Sequence, residues 1–141
     1  MIRNFLQEQT HLEHALIPLS RTEDTYLSSA IDGQALPLCE QGMGVLLLGA
    51  ESGTPSSHST VFKLTHCDTS GGSYTDVTGV TTTITDLPGA PGSKHELKFS
   101  TAACKRYRKW SLAIDFTGGS SPAFPCAVLE IIGGSQQEPL S

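Results

Sequence analysis

From Lys109 to Phe116 the chain alternates without a break: Trp110, Leu112, Ile114 and Phe116 are large and apolar, while Lys109, Ser111, Ala113 and Asp115 between them are small or polar. A strand sends successive side chains to opposite faces, so a two-residue period describes an extended segment with one face on a core. The same period runs through Thr60–Cys67, where Phe62, Leu64 and His66 alternate with Val61, Lys63, Thr65 and Cys67. A helix turns about 100° per residue and would spread these apolar groups all round its surface. Both segments are therefore read as half-buried strands.

The rest of the chain fits the same architecture. Met43–Gly49 (MGVLLLG) reads as a buried strand, and Phe124–Ile132 (FPCAVLEII) as a final apolar strand. Val80–Asp86 is rich in β-branched residues, and Glu96–Ser100 carries Leu97 and Phe99 on one face. Gln34–Glu40 contains Pro37, which suits an edge strand or a strand start. Turn signals separate these runs: Asp32-Gly33, the Ser-rich stretch Glu51–Ser59, Asp68–Ser73 leading into a hairpin return at Tyr74–Val77, Pro88–Gly92 and Gly118–Pro122. With 14 Gly, 8 Pro, 31 Ser and Thr together and only 16% charged residues, the composition suits short strands joined by many turns. About eight strands at spacings of roughly ten residues, with no helical crossover between them, predict an all-β, antiparallel β-sandwich or jelly-roll-like body and exclude a parallel α/β sheet. At 141 residues this is one domain. Its expected bounds are 19–134, between an N-terminal arm at 1–18 and a polar tail at 135–141.

The arm is helical or extended. Ile2, Phe5, Leu6, Leu12, Ala15 and Leu16 recur partly at helical spacing until Pro18 stops the pattern, which describes a short amphipathic helix in need of a surface to cover. Either its own body or a neighbouring subunit supplies that surface. The first residues lack the apolar run and cleavage site of a secretory signal, and no apolar stretch approaches the roughly 20 residues that span a bilayer. The expectation is a chain folded in a reducing cytoplasm, with no membrane partner. Its cysteines, Cys39, Cys67, Cys104 and Cys126, lie 28, 37 and 22 residues apart with no C-x-x-C pair. They are expected as buried free thiols, a disulfide being the competing state in an oxidising medium. The five histidines show no metal spacing and are expected to face solvent.

No constellation carries catalytic chemistry. There is no nucleophile elbow, H-E-x-x-H, phosphate loop or dinucleotide fingerprint, and the glycine pairs sit where turns need them. The chain is expected not to be an enzyme and to hold no cofactor and no metal. Lys105, Arg106, Tyr107, Arg108 and Lys109 hold four of the nine basic residues, but the remainder of a chain with net charge −5 then carries −9. Direct nucleic-acid binding is therefore not expected. A solvated strand start and a subunit interface are the readings left open for this cluster. The candidate interface residues are Phe5, Leu6 and Leu12 on the arm and Arg106, Tyr107 and Arg108 on the body.

Four pieces of the chain, Phe62-Lys-Leu-Thr-His-Cys-Asp-Thr-Ser-Gly71, Tyr74-Thr-Asp-Val77, Lys105-Arg-Tyr107 and Asp115-Phe-Thr-Gly118, together resemble the small capsid-associated proteins of tailed bacteriophages. The likeness covers about 15–133. Cys67 departs from it, standing where a serine is usual, and Arg108-Lys109-Trp110 lengthens the approach to the last core strands. The resemblance implies a virion structural protein on the capsid surface, assembled in the host cytoplasm: a head decoration or cement protein that binds the major capsid protein as a small homo-oligomer, commonly a trimer. It carries over no active-site residue. A carbohydrate-binding jelly roll on the virion surface and a head-tail connector or tail component are the alternatives.

Overall fold

The computed structural model describes residues 11–35 and 39–135, and these form two antiparallel sheets packed face to face. The strands are β1 His11–Arg21, β2 Asp24–Leu27, β3 Ile31–Asp32, β4 Cys39–Leu48, β5 Ser57–Cys67, β6 Thr75–Ile84, β7 Ser93–Ser100, β8 Tyr107–Thr117 and β9 Phe124–Ser135. One sheet has the order β1-β9-β4-β7; the other runs β2-β8-β5-β6, with β3 also on β8. The pairings nest. The hairpin β5–β6 is innermost, β4–β7 surrounds it, then β2 and β3 with β8, then β1 with β9. Rolling this long hairpin joins β4 to β9 and β5 to β8, which produces a jelly roll.

Strand β5 enters the core through His58, Thr60, Phe62 and Leu64, and β8 through Arg108, Trp110, Leu112, Ile114 and Phe116, all buried. The alternation read from the sequence thus sets the inward face of both central strands. Hairpin β5–β6 forms as expected, but its return is one strand rather than two. Lys63 pairs with Thr81 and Thr65 with Asp76, so three extra residues bulge out of β6 around Gly79, whose φ of 81° disfavours a side chain. The polar stretch after Arg21 contains two short strands, β2 and β3, which sequence pattern alone does not reveal.

The N-terminal expectation needs correction. Residues 11–18 are not helical: they belong to β1, an edge strand on β9, and the boundary placed at Pro18 falls inside that strand. Register shifts between His14 and Leu16 and between Leu16 and Leu19 explain the error. Leu12, Ala15 and Leu16 have helical spacing in sequence, but the irregularity after His14 leaves Leu12 exposed and turns Leu16 into the core. Pro18 is tolerated because an edge strand has one unpaired side. At the other end β9 runs to Ser135, which pairs with Cys39, so the tail boundary moves by one residue. The arm residues 1–10, the Pro37 strand start and 136–141 lie outside the described residues.

Two glycines of β4 make room for an aromatic core. A Cβ on Gly44 would fall within the indole of Trp110, and one on Gly42 within the ring of Phe99. Trp110 therefore lies directly on β4, stacked on Phe62 at 5.1 Å and edge-on to Phe99 at 5.7 Å between ring centroids. A second aromatic group joins Phe116, Phe124 and His58. His58 corrects the solvent-facing expectation. It is 3% exposed, its Nε2–H donates to the Asp86 carbonyl at 2.7 Å, and its Nδ1 meets the Thr60 hydroxyl at 2.8 Å.

Candidate interface surface

The basic cluster that begins β8 is consumed inside the molecule. Arg108 shares the parity of Trp110, which turns it into the core, where it is 2% exposed. Its Nε donates to Glu130 Oε1 at 2.6 Å and its Nη2 to Oε2 at 3.0 Å, and Trp110 Nε1–H donates to the same Oε1 at 3.1 Å. Glu130 is completely buried. Three donors on one carboxylate compensate much of its desolvation, and the fork geometry fixes the sheets relative to each other. Arg108 is thus neither solvated nor presented to a partner, which overturns its place among the interface candidates. Both residues carried a signal: Arg108 is in phase with the core alternation, and Glu130 interrupts an apolar run.

The other members remain at the surface but are occupied. Arg106 makes two 3.1 Å hydrogen bonds to Asp32 on β3 and lies 4.9 Å from the Tyr107 ring centroid. Those hydrogen bonds lower the Asp32 carboxyl and raise Arg106 from their ordinary values. Lys105 faces Asp68 at 3.7 Å, and Lys109 sits 4.6 Å from the Tyr74 ring centroid. Each positive charge has an internal partner. Tyr107 is half-buried. Of the arm candidates, Leu12 is 61% exposed on β1, while Phe5 and Leu6 lie outside the described residues.

A different surface stands out once the sheets are formed. On the β1-β9-β4-β7 sheet, Leu46, Leu48, Val128, Glu130 and Ile132 point inward, so the intervening residues point out. Register aligns them in three rows. The first is Leu12, Ile131, Met43 and Lys98; the second Leu129, Val45 and Glu96; the third Ala127, Leu47 and Lys94. Across β9 and β4 every residue in these rows is apolar. Leu47 is 40% exposed, Met43, Leu129 and Ile131 are half-buried, and Val45 and Ala127 are buried; on the edge strand β1, Leu12 and Ile17 are exposed. Among the described side chains of these rows, charge lies on β7, where Lys94 pairs with Glu96 at 3.1 Å.

The outer face of the other sheet is the opposite in character. It presents Ser59, Val61 and Lys63 from β5, Ala113 and Asp115 from β8, and Thr81 and Thr83 from β6. Leu27, on the edge strand β2, is its exposed large hydrophobic residue at 57%. A sheet with one solvated face shows clean alternation, as β5 and β8 do; a sheet covered on both faces reads as nearly continuous apolar sequence, as β4 and β9 do. The runs MGVLLLG and PCAVLEII thus carried the signal for this surface, although they were read only as buried strands.

Among the described residues, no group of three or more His, Cys, Asp or Glu side chains is arranged to hold a metal ion, and no helix is long and apolar enough to cross a membrane. Cys67, Cys104 and Cys126 are free thiols, but of these only Cys126 is buried as expected; Cys67 and Cys104 are half-buried. Burial pushes the Cys126 thiol up to about 11, whereas hydrogen bonding from the Thr69 backbone lowers that of Cys67. Trp110, wholly buried, offers no platform for stacking a sugar ring.

No protein-family model matches the sequence, and no curated protein matches it. Solved structures do share its fold. The PBSX exported protein XepA superposes with a TM-score of 0.62 at 12% identity, covering 93% of this chain and 39% of that one. The VP2 subviral particle of infectious bursal disease virus gives 0.52 at 12% identity, covering 93% and 34%. The Gt strain of that virus gives 0.50 at 12% identity, covering 93% and 33%. The chain spans two-fifths or less of the length of these proteins. At such identities the likeness establishes the fold they have in common: an antiparallel jelly-roll β-sandwich.

Proposed function

We propose that this chain is a virion structural protein of the decoration or cement type, acting by surface contact rather than by turnover. The observation that carries the reading is the chemical asymmetry of the sandwich: an apolar outer face on one sheet, a polar outer face on the other. A body with one adhesive side and one solvated side suits a protein that must cover a shell without linking particles together. The shared fold with a viral capsid structure supports a place in a virion, and the short motifs that resemble phage capsid-associated proteins support the capsid surface. On this reading the major capsid protein is the partner, the chain assembles as a small homo-oligomer, and assembly takes place in the host cytoplasm.

The test is copy number in purified particles, by quantitative mass spectrometry against the major capsid protein. Hundreds of copies per particle are expected, since a shell protein follows the lattice. About a dozen or fewer would place the chain at a unique vertex or in the tail axis, and none would remove it from the virion altogether.

A further inference from the structure

At the open side of the sandwich, between the edge strands β1 and β2, lies a buried cation with no acceptor among the described residues. Arg21 ends β1 in register with Phe124 and faces inward with it, Leu19 does the same opposite Cys126, and Tyr26 faces them from β2 opposite Leu112. We propose that the Arg21 guanidinium anchors a contact site at this edge for the carboxylate of an Asp or Glu side chain, presented by a partner protein beside an apolar residue that packs on Leu19. This deepens the surface-contact reading above and rests on it for the identity of the partner, the shell protein.

Arg21 is 5% exposed, and its covered Nε and Nη1 leave their N–H donors without an acceptor among the described residues. Buried donors in native proteins are nearly always satisfied, because an unmet one is destabilising. The internal candidates are engaged elsewhere or uncharged. Glu23 and Asp115 share a hydrogen bond, Asp24 Oδ1 accepts from the Thr25 backbone, Glu130 is held by Arg108, and burial keeps the Cys126 thiol neutral. A water there would need about two to four polar partners of its own. The side chains on this face are instead Leu19, Phe124, Cys126 and the Tyr26 ring, whose hydroxyl donates to the Thr22 carbonyl at 3.0 Å. The site therefore lacks an acceptor and is walled mainly by carbon. A single planar guanidinium matches one carboxylate through paired N–H donors, whereas phosphate recognition draws on clusters of arginines. Glu23 and Asp24, exposed in the residues that follow, also oppose a doubly charged ligand more than a singly charged one. Leu19, 56% exposed, gives an apolar neighbour of that carboxylate a place to pack. Entry is from the side: no strand lies beyond β1 or β2, and the Tyr26 ring, 5.1 Å from the guanidinium, uncovers the donors when its side chain rotates away.

The full-length chain, isotope-labelled for NMR, is titrated with an acetylated and amidated Glu-Leu dipeptide and with its neutral Gln-Leu counterpart. The arginine Nε–H signals are followed, and the one missing from Arg21→Met belongs to Arg21. That signal should move and saturate with a dissociation constant of about 1–10 mM for Glu-Leu, and at least about tenfold higher for Gln-Leu. Leu19→Ser, a change at an exposed position, should weaken Glu-Leu binding about threefold. An Arg21 signal that stays fixed up to about 50 mM Glu-Leu overturns the site, as does one that moves equally with both dipeptides. Particle occupancy separates this from the functional reading. Arg21→Met, with urea denaturation confirming its fold, should bind particles at least about tenfold more weakly than the wild type. If the two occupy particles equally, the site falls and the virion role stands. If Glu-Leu binds at Arg21 but the wild type is absent from particles, the carboxylate site stands and the virion role falls.

Discussion

At the scale of single residues, the sandwich sorts chemically similar groups by where they fall. Cys126 lies between the sheets, where burial disfavours the thiolate and raises the thiol to about 11; Cys67 ends β5, where a backbone N–H of the following turn favours the thiolate. In a Cys39→Ser background at about pH 8, a thiol reagent should label Cys67 first and leave Cys126 unmodified until the protein is denatured. Peptide mapping after timed labelling reads this directly. His95 is shifted too: burial lowers it from its ordinary value of 6.5. The folded state therefore holds the neutral ring while the unfolded chain takes up a proton first. Its contribution to stability is complete above about pH 6.5 and declines as pH falls toward the folded value. Replacing His95 by Gln should flatten the change in denaturation midpoint between about pH 7.5 and pH 5.5.

At the scale of elements, the two sheets are joined by a polar contact inside an apolar core. Arg108 on β8 reaches Glu130 on β9, and Gly44 on β4 makes the room in which Trp110 lies beside them. Arg108→Met strands a buried carboxylate and is expected to cost about 3–5 kcal/mol. Much of this should return in the double variant Arg108→Met, Glu130→Gln, because the amide oxygen still accepts from Trp110 and no charge remains buried. Urea denaturation of the singles and the double provides the measurement. Arg21 is the contrasting case: it is 5% exposed, its Nε and Nη1 have no acceptor among the described residues, and its guanidinium lies 5.1 Å from the Tyr26 ring centroid. Arg21→Met should therefore fall within about 1 kcal/mol of wild type or stabilise the fold. Gly44→Ala drives a methyl into the indole and should cost at least about 1–3 kcal/mol, part of which a smaller ring at 110 would recover.

At the scale of the whole molecule, nested pairing makes the ends of the chain the last closure. His11 pairs with Ile132 across nearly the full sequence, and Leu16 of β1 is buried. An arm separable from the body would leave a folded body after deletion of the first sixteen residues. The placement of Leu16 in the core predicts otherwise. Removing β1 through Leu16 bares the hydrogen-bonding edge of β9 beside the apolar outer face, and an open apolar edge invites aggregation. Light scattering of the truncated chain should show association where the full chain remains a discrete species.

The sequence by itself determined the strands whose two faces meet different surroundings. Alternation through Phe62–Leu64 and Trp110–Phe116 records a core on one side and water on the other, so those segments, their inward residues and the jelly-roll class were legible directly. Tertiary structure alone decided what depends on neighbours distant in sequence. Pairing with β9 turned a helix-like spacing at Leu12–Leu16 into an irregular edge strand. The facing sheet turned Arg108 from a surface cation into a buried partner of Glu130, and Asp86 with Thr60 drew His58 inside. The candidate surface lies between these cases. Its apolar residues were plain in MGVLLLG and PCAVLEII, but a continuous apolar run does not say which residues face which side. That is settled only when β4 and β9 are hydrogen-bonded together and one row of each is committed to the core.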